Sequence, residues 1–161
     1  MKQLLACLSI LITLNLSAQI KVDDVGEGWK DSVTTAIEKI KTSDPFYYVF
    51  VNANCNHVSY TLANFSTTEG DSTILISTKQ MKAGYVNDIA ATLVHESLHL
   101  YLKKLKLNLS EDDEELMCYQ FELMFLFNVL DVEAWLMYNA ITMVNHYTAR
   151  LKLKDRKIMK N

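Results

Sequence analysis

The stretch of the chain best equipped for chemistry is His95-Glu96-Ser97-Leu98-His99. Residues four apart on a helix project from one face, one turn apart, so both imidazoles can reach a single ion. Imidazole nitrogens suit tetrahedral Zn²⁺. Glu96 follows the first histidine and would lie beside such an ion, where its carboxylate can take a proton from a zinc-activated water and pass it to a leaving amine. Zinc lowers the pKa of that water toward ~7, so a carboxylate is basic enough for the task.

The surroundings sharpen this reading. Between Ile89 and Leu102 the only charged residue is Glu96, in a segment otherwise patterned as a buried helix. A lone buried carboxylate is costly unless it is paired or opens on a polar cavity. The bland alternative is a pair of core histidines bonded to backbone carbonyls. A catalytic zinc takes three protein ligands and keeps a fourth position open. The acidic run that starts the next helix, Glu111 to Glu115, offers candidates for the third ligand. Glu115, Glu114 and, farther along, Glu122 stay open, against the alternative of acidic residues that merely favour a helix N-terminus. Tyr101, Tyr119, Tyr138 and His146 are candidate donors to an oxyanion formed when water attacks a carbonyl. His57 and His146 otherwise read as ordinary polar residues.

With Thr92-Leu93-Val94 before it and Leu100-Tyr101 after it, the motif resembles the active-site helix of zincin metallopeptidases. Leu102 and Leu105 stand where the metzincin branch would have Gly and a third His, which leaves gluzincin-like and SprT-like small zincins. A gluzincin resemblance lays Glu115-Leu116-Met117-Cys118-Tyr119 on that family's second-helix pattern and implies Glu115 as the third zinc ligand, with Cys118 as the small residue. Tyr119 replaces an aspartate that orients a zinc-bound histidine, so that support must come from elsewhere. A SprT-like arrangement would bring the ligand from about Glu114. The resemblance covers roughly a quarter of the chain, the motif helix and the start of the next. It implies a zincin-like α+β fold, a peptide or protein substrate, and a strand whose free edge receives the peptide. Thr73 to Ser77 is the strand nearest the motif and is the candidate.

The elements that must position these residues follow from periodicity and punctuation. Asp24 to Ser43 carries Trp29, Val33, Ala36, Ile37 and Ile40 at helical spacing and ends at Ser43-Asp44-Pro45. Phe46 to Val51, His57 to Phe65 and Ser72 to Ser77, the last after a Glu69-Gly70-Asp71 turn, read as strands of a small, about three-stranded sheet. The motif helix starts at Asn87 or Asp88 as cap and ends near Lys103-Lys104, where the helix dipole favours positive charge. Ser110 caps a helix whose continuation from Leu116 to Leu130 is apolar nearly all round. Asp131 caps a last helix through about Arg150, with Trp135, Tyr138, Ile141 and Val144 inward. The fold class is therefore α+β.

At 161 residues, half of them apolar, the chain suits one domain over residues 19–150. Lys2, the apolar Leu4 to Leu16 and Ser17-Ala18 read as a signal peptide over residues 1–18, which implies a secreted or periplasmic protein with no membrane attachment after cleavage. Residues 151–161 read as a basic, flexible tail. A net charge of −3 gives no general attraction to nucleic acid, so a nucleic-acid-associated protease, suggested by the tail, is disfavoured. Export would permit a disulfide between Cys55 and Cys118, although a buried free Cys118 accounts for the pattern equally well. The expected function is an exported zinc-dependent hydrolase of peptides. The alternative is a secreted zinc-binding domain on the same scaffold that turns nothing over.

Overall fold

The structure, a computed structural model, describes residues 19–158 except 27, 84 and 130. The expected leader lies outside the described residues. Two glycines at positive φ, Gly26 at 84° and Gly28 at 74°, keep the chain from entering a helix at Asp24. Helix α1 consequently starts at Trp29 and runs to Ser43, burying Trp29, Val33, Ala36 and Ile40.

Phe46 to Val51 is helical, contrary to the strand its composition suggests. Asp44 accepts a hydrogen bond from the Phe46 N–H at 2.9 Å and Pro45 occupies the first helical position, so the turn that ends α1 starts α2, Pro45–Asn54. An N-cap followed by a proline preset to helical φ outweighs the β-preference of aromatic and branched residues. Tyr47, Val51 and Asn54 then fall on one buried face.

The sheet has four strands among the described residues, β1 (Lys21–Val22), β2 (His57–Thr61), β3 (Thr67–Glu69) and β4 (Thr73–Ser77), in the order β1-β2-β4-β3. The first two pairings are parallel. β3 returns antiparallel on β4 through a tight turn that has Gly70 at φ 61°. The run expected as one strand from His57 to Phe65 thus stops at Thr61. Leu62 and Phe65 stand out into solvent, 81% and 68% exposed. β4 is paired on both sides, so it cannot offer the free edge expected of it; β3 is the outer strand.

A short helix α3 (Thr78–Ala83) leads into α4, Val86–Lys104. Its first-turn side chains do not cap it as expected. Tyr85 is the N-cap, without a side-chain bond. The Asn87 amide instead donates to the Asp131 carbonyl at 3.1 Å and to Glu133 at 3.0 Å, and Asp88 accepts from Gln80. α4 buries residues around most of its circumference and packs on α1, α2, β3, β4 and α5 (Glu111–Leu126), which is what a nearly all-apolar helix requires.

Ser110 caps α5 as expected, its hydroxyl accepting from the Asp113 N–H. The helix is not buried all round: Cys118, Glu122, Phe125 and Leu126 face inward, while Met124 is 61% exposed. Helix α6 runs Ala134–Ile158, so Asp131, at φ 64°, precedes it as a turn residue and not as its cap. Its inward stripe is Leu136 and Ala140, continued by the half-buried Met143 and Tyr147. Trp135, Tyr138 and Ile141, expected inward, are 39%, 69% and 41% exposed. Two apolar stripes share this helix, and the aliphatic one with small Ala140 permits the closer approach to α5. Arg150 and Lys154 reach back to the buried Asp112 at 2.9 and 3.6 Å, so these basic residues tie α6 to the start of α5. No helix among the described residues is long and apolar enough to cross a membrane.

Candidate metal centre

α4 supplies the two histidines and α5 folds back across them. The reversal uses Leu105 and Lys106, the latter at φ 52°, with Leu105 N–H donating to the Tyr101 carbonyl and Lys106 N–H to that of Lys103. Leu98, Leu102 and Cys118, packed with Phe50, Leu109 and Phe121, fix the two helices against each other below the site. That packing sets the rotation of α5, and the rotation decides which carboxylate faces which nitrogen.

The Nε2 atoms of His95 and His99 lie 3.2 Å apart. Two nitrogens each bound to a tetrahedral zinc at its usual ~2.05 Å would be ~3.3 Å apart, so the imidazoles are already spaced for sharing one ion. The Glu115 carboxylate spans the same point, Oε2 at 3.6 Å from His95 Nε2 and Oε1 at 3.6 Å from His99 Nε2. Glu114 and Glu122 take a different position. Glu122 Oε2 meets His95 Nδ1 at 2.9 Å, and Glu114 Oε1 meets His99 Nδ1 at 2.7 Å. Each ring is thus held at Nδ1 by a carboxylate while its Nε2 faces that of the other ring, an orientation of the kind that histidine–zinc sites use. The carboxylate that holds the His95 ring is that of Glu122, one turn beyond Tyr119 on α5. Tyr119 packs edge-on against His95, ring centres 4.4 Å apart.

Glu96, Glu114, Glu115 and Glu122 surround two imidazoles. Burial alone would depress the His95 imidazolium, but the close Glu115 carboxylate, the hydrogen bond with Glu122 and the charges of Glu122 and Glu96 outweigh it and raise its pKa to about 10. Burial tends to raise the Glu115 carboxyl; the His95 imidazole 3.6 Å away and the charges of both histidines hold it below its ordinary value. Glu96 goes the other way, raised chiefly by its burial, with Glu115 and Glu122 adding to the effect against the histidines. Glu96 is 7% exposed, has no hydrogen-bond partner among the described residues, and opens on the cleft.

A third donor type is present. The Cys118 sulfur lies with His95 and His99 in a group whose ligand atoms are within 4.8 Å of one another. Burial and the surrounding glutamates push its thiol pKa far up in the metal-free chain. Cys118 also packs beneath the helices, whereas the Glu115 oxygens stand astride the imidazole nitrogens. Two imidazoles and one carboxylate fit a catalytic zinc set. Cys55 and Cys118 are free thiols, so the disulfide that export would permit between them is not formed.

Of the donors considered for an oxyanion, Tyr119 lines the cleft. Tyr101 packs on Phe50 and Tyr138 stands in solvent. His146 is exposed beside Tyr147, and His57 bonds Asp23 at 2.9 Å, far along the sheet. Tyr147, not singled out by the sequence, stacks on Tyr119 at 5.8 Å. The cleft has two lobes, about 620 and 400 Å³, which share Phe65, Ser66 and Glu96 in their walls. The larger is bounded by Thr67 and Thr68 of β3. Comparisons with protein-family models, with curated proteins and with solved structures find no match for this chain.

The carboxylates behind the rings carry a prediction. Glu122→Gln and Glu114→Gln should each weaken zinc affinity by about 10–100-fold, measured by competition with a chromophoric chelator, because the ring loses its anionic partner. Equal affinity in both variants and the parent would remove their orienting role.

Proposed function

We propose that this protein is an exported zinc-dependent hydrolase of the zincin type, acting on peptides, in which His95, His99 and Glu115 hold the metal and Glu96 is the general base. The observation that carries the reading is the pair of Nε2 atoms 3.2 Å apart with a Glu115 oxygen 3.6 Å from each, beside Glu96, whose carboxylate has no hydrogen-bond partner among the described residues. Zinc, when bound, supplies a Lewis acid that acidifies water and polarises a carbonyl.

The remaining work falls to the chain. Glu96 takes the proton of the attacking water and returns it to the leaving nitrogen; its raised pKa makes it a better proton acceptor than an exposed glutamate. Glu114 and Glu122 keep the imidazoles from rotating. β3, not β4, is the strand whose unpaired edge borders the lobe containing Glu96 and His99, and an extended peptide can add to it by main-chain hydrogen bonds. Tyr119 is the donor nearest the imidazoles for the developing oxyanion.

The test is cleavage of a mixed peptide library by the purified protein carrying one equivalent of zinc. Products should appear, vanish on chelation and return when zinc is restored. A zinc-loaded protein that cleaves no peptide would favour the non-catalytic, zinc-holding domain.

A further inference from the structure

We infer that the lobe of the cleft over the N-terminal half of α4 takes a basic side chain, lysine or arginine, from the peptide substrate. The inference rests on the hydrolase reading above and names its substrate class.

The two lobes differ in charge. The larger, about 620 Å³, carries Lys103 and Lys106 beside its glutamates. The smaller, about 400 Å³, has Asp88, Glu96 and Glu122 in its wall together with His95, the imidazole that Glu122 holds, and no Lys or Arg among the described lining residues. Two of these carboxylates are engaged with the centre, Glu122 on His95 Nδ1 and Glu96 beside the imidazole pair. Asp88 is not. It accepts one long hydrogen bond from Gln80 Nε2, 3.3 Å, and has no ion pair among the described residues. Burial, with Glu122 and Glu133 nearby, pushes its pKa up to about 6, so at neutral pH it is an anion that lacks a counter-charge. An incoming ammonium or guanidinium would supply one.

The rest of the wall suits the stem of such a side chain. Leu136, Ala140 and Met143 of α6 give an apolar stretch, while Asn139 and Thr142 alternate with them as polar neighbours. Lysine and arginine lay an aliphatic stem on apolar surface and keep the charged head with polar groups. An acidic side chain would meet the uncompensated Asp88 there, and an aliphatic one would leave it unpaired. The larger lobe sets Lys103 and Lys106 against its own glutamates, so the excess of negative charge is greater in the smaller lobe.

The polar support of the lobe is prearranged. Gln80 Nε2 also donates to Thr92 Oγ1 at 2.7 Å, and Ser66 Oγ donates to Gln80 Oε1, which joins the β2–β3 loop, α3 and α4 around Asp88. Asp88 is therefore held in place before any substrate arrives.

The test uses the zinc-loaded Glu96→Gln protein and fluorescent nonapeptides that differ at one scanned position, Arg, Leu or Glu. At one position Arg should bind about tenfold or more tighter than Leu, with Glu weakest. Asp88→Asn in the same protein should bring Arg and Leu within about twofold of each other, and Thr142→Lys, on the exposed rim, should shift the preference toward Glu. Equal binding of Arg and Leu peptides, a preference that survives Asp88→Asn, or no peptide binding at all would overturn the inference. Basic-selective binding without cleavage by the parent protein would sink the hydrolase reading and leave the pocket standing. Cleavage indifferent to basic residues would do the reverse.

The same aspartate makes a separate prediction about stability. Its folded pKa is raised, so the wild type loses stability as pH rises from about 4 to about 6 and gains none back above that. Asp88→Asn should therefore be more resistant to urea at pH 7.5, and the advantage should vanish at pH 4, where both side chains are neutral. A larger gain at pH 4 than at pH 7.5 would contradict the assignment.

Discussion

Glu96→Gln is expected to lower peptide hydrolysis by about a thousandfold while zinc stays bound with close to parental affinity. The amide keeps the size of the side chain and removes its capacity to accept a proton. The predicted ligand set, His95, His99 and Glu115, is untouched, and Glu96 has no structural hydrogen bond to lose among the described residues. It is 7% exposed and its charged form is penalised by burial, so the amide should if anything stabilise the metal-free fold. Metal content by elemental analysis and turnover on the same sample separate the two effects. Loss of zinc together with activity would make Glu96 a ligand, and retained activity would end its role as base.

The second large effect is on metal binding and the stability linked to it. With zinc at about a thousand times its dissociation constant, the folded state gains about 4 kcal/mol, which for a domain of this size raises Tm by on the order of 10 °C. His99→Ala removes one Nε2 and leaves Glu115 facing a single imidazole, so this zinc-dependent rise should disappear. Glu115→Gln should reduce it sharply for the same reason. Cys118→Ser should leave most of it in place, because Cys118 serves here as a packing residue beneath the helices. Thermal scans with and without zinc measure all three, and a rise that survives His99→Ala but not Cys118→Ser would reverse the assignment of ligands.

The reach of the sequence can be judged residue by residue. His95, Glu96 and His99 were readable because a four-residue spacing on a helix fixes their common face without tertiary information. Ser110 was readable for a similar reason, since a cap acts within its own turn. Which of Glu114, Glu115 and Glu122 faces which nitrogen was not, because it depends on how far α5 is rotated against α4, and that is set by Leu98, Leu102 and Cys118 packing across the pair. β1 and β3, two and three residues long, are too short to carry a periodic signal and exist only through pairing with distant strands. The strand expected at Phe46 shows a composition preference yielding to the Asp44-Pro45 start signal. On α6 two apolar stripes were available, and only the partner surface selects between them. The start of the motif helix offers Asn87 or Asp88 as cap, but Asp88 is instead bonded by Gln80, which also reaches Thr92, a contact no local rule contains.

The reading as a whole stands on the ligand set, and X-ray absorption at the zinc edge of the purified, zinc-loaded protein tests it most directly. The arrangement of His95, His99 and Glu115 predicts one zinc per chain with nitrogen and oxygen neighbours only, at about 2.0–2.2 Å, including the outer-ring scattering of imidazole. A sulfur neighbour at about 2.3 Å would place Cys118 on the metal in place of Glu115, and a protein that takes up no zinc would contradict the account altogether.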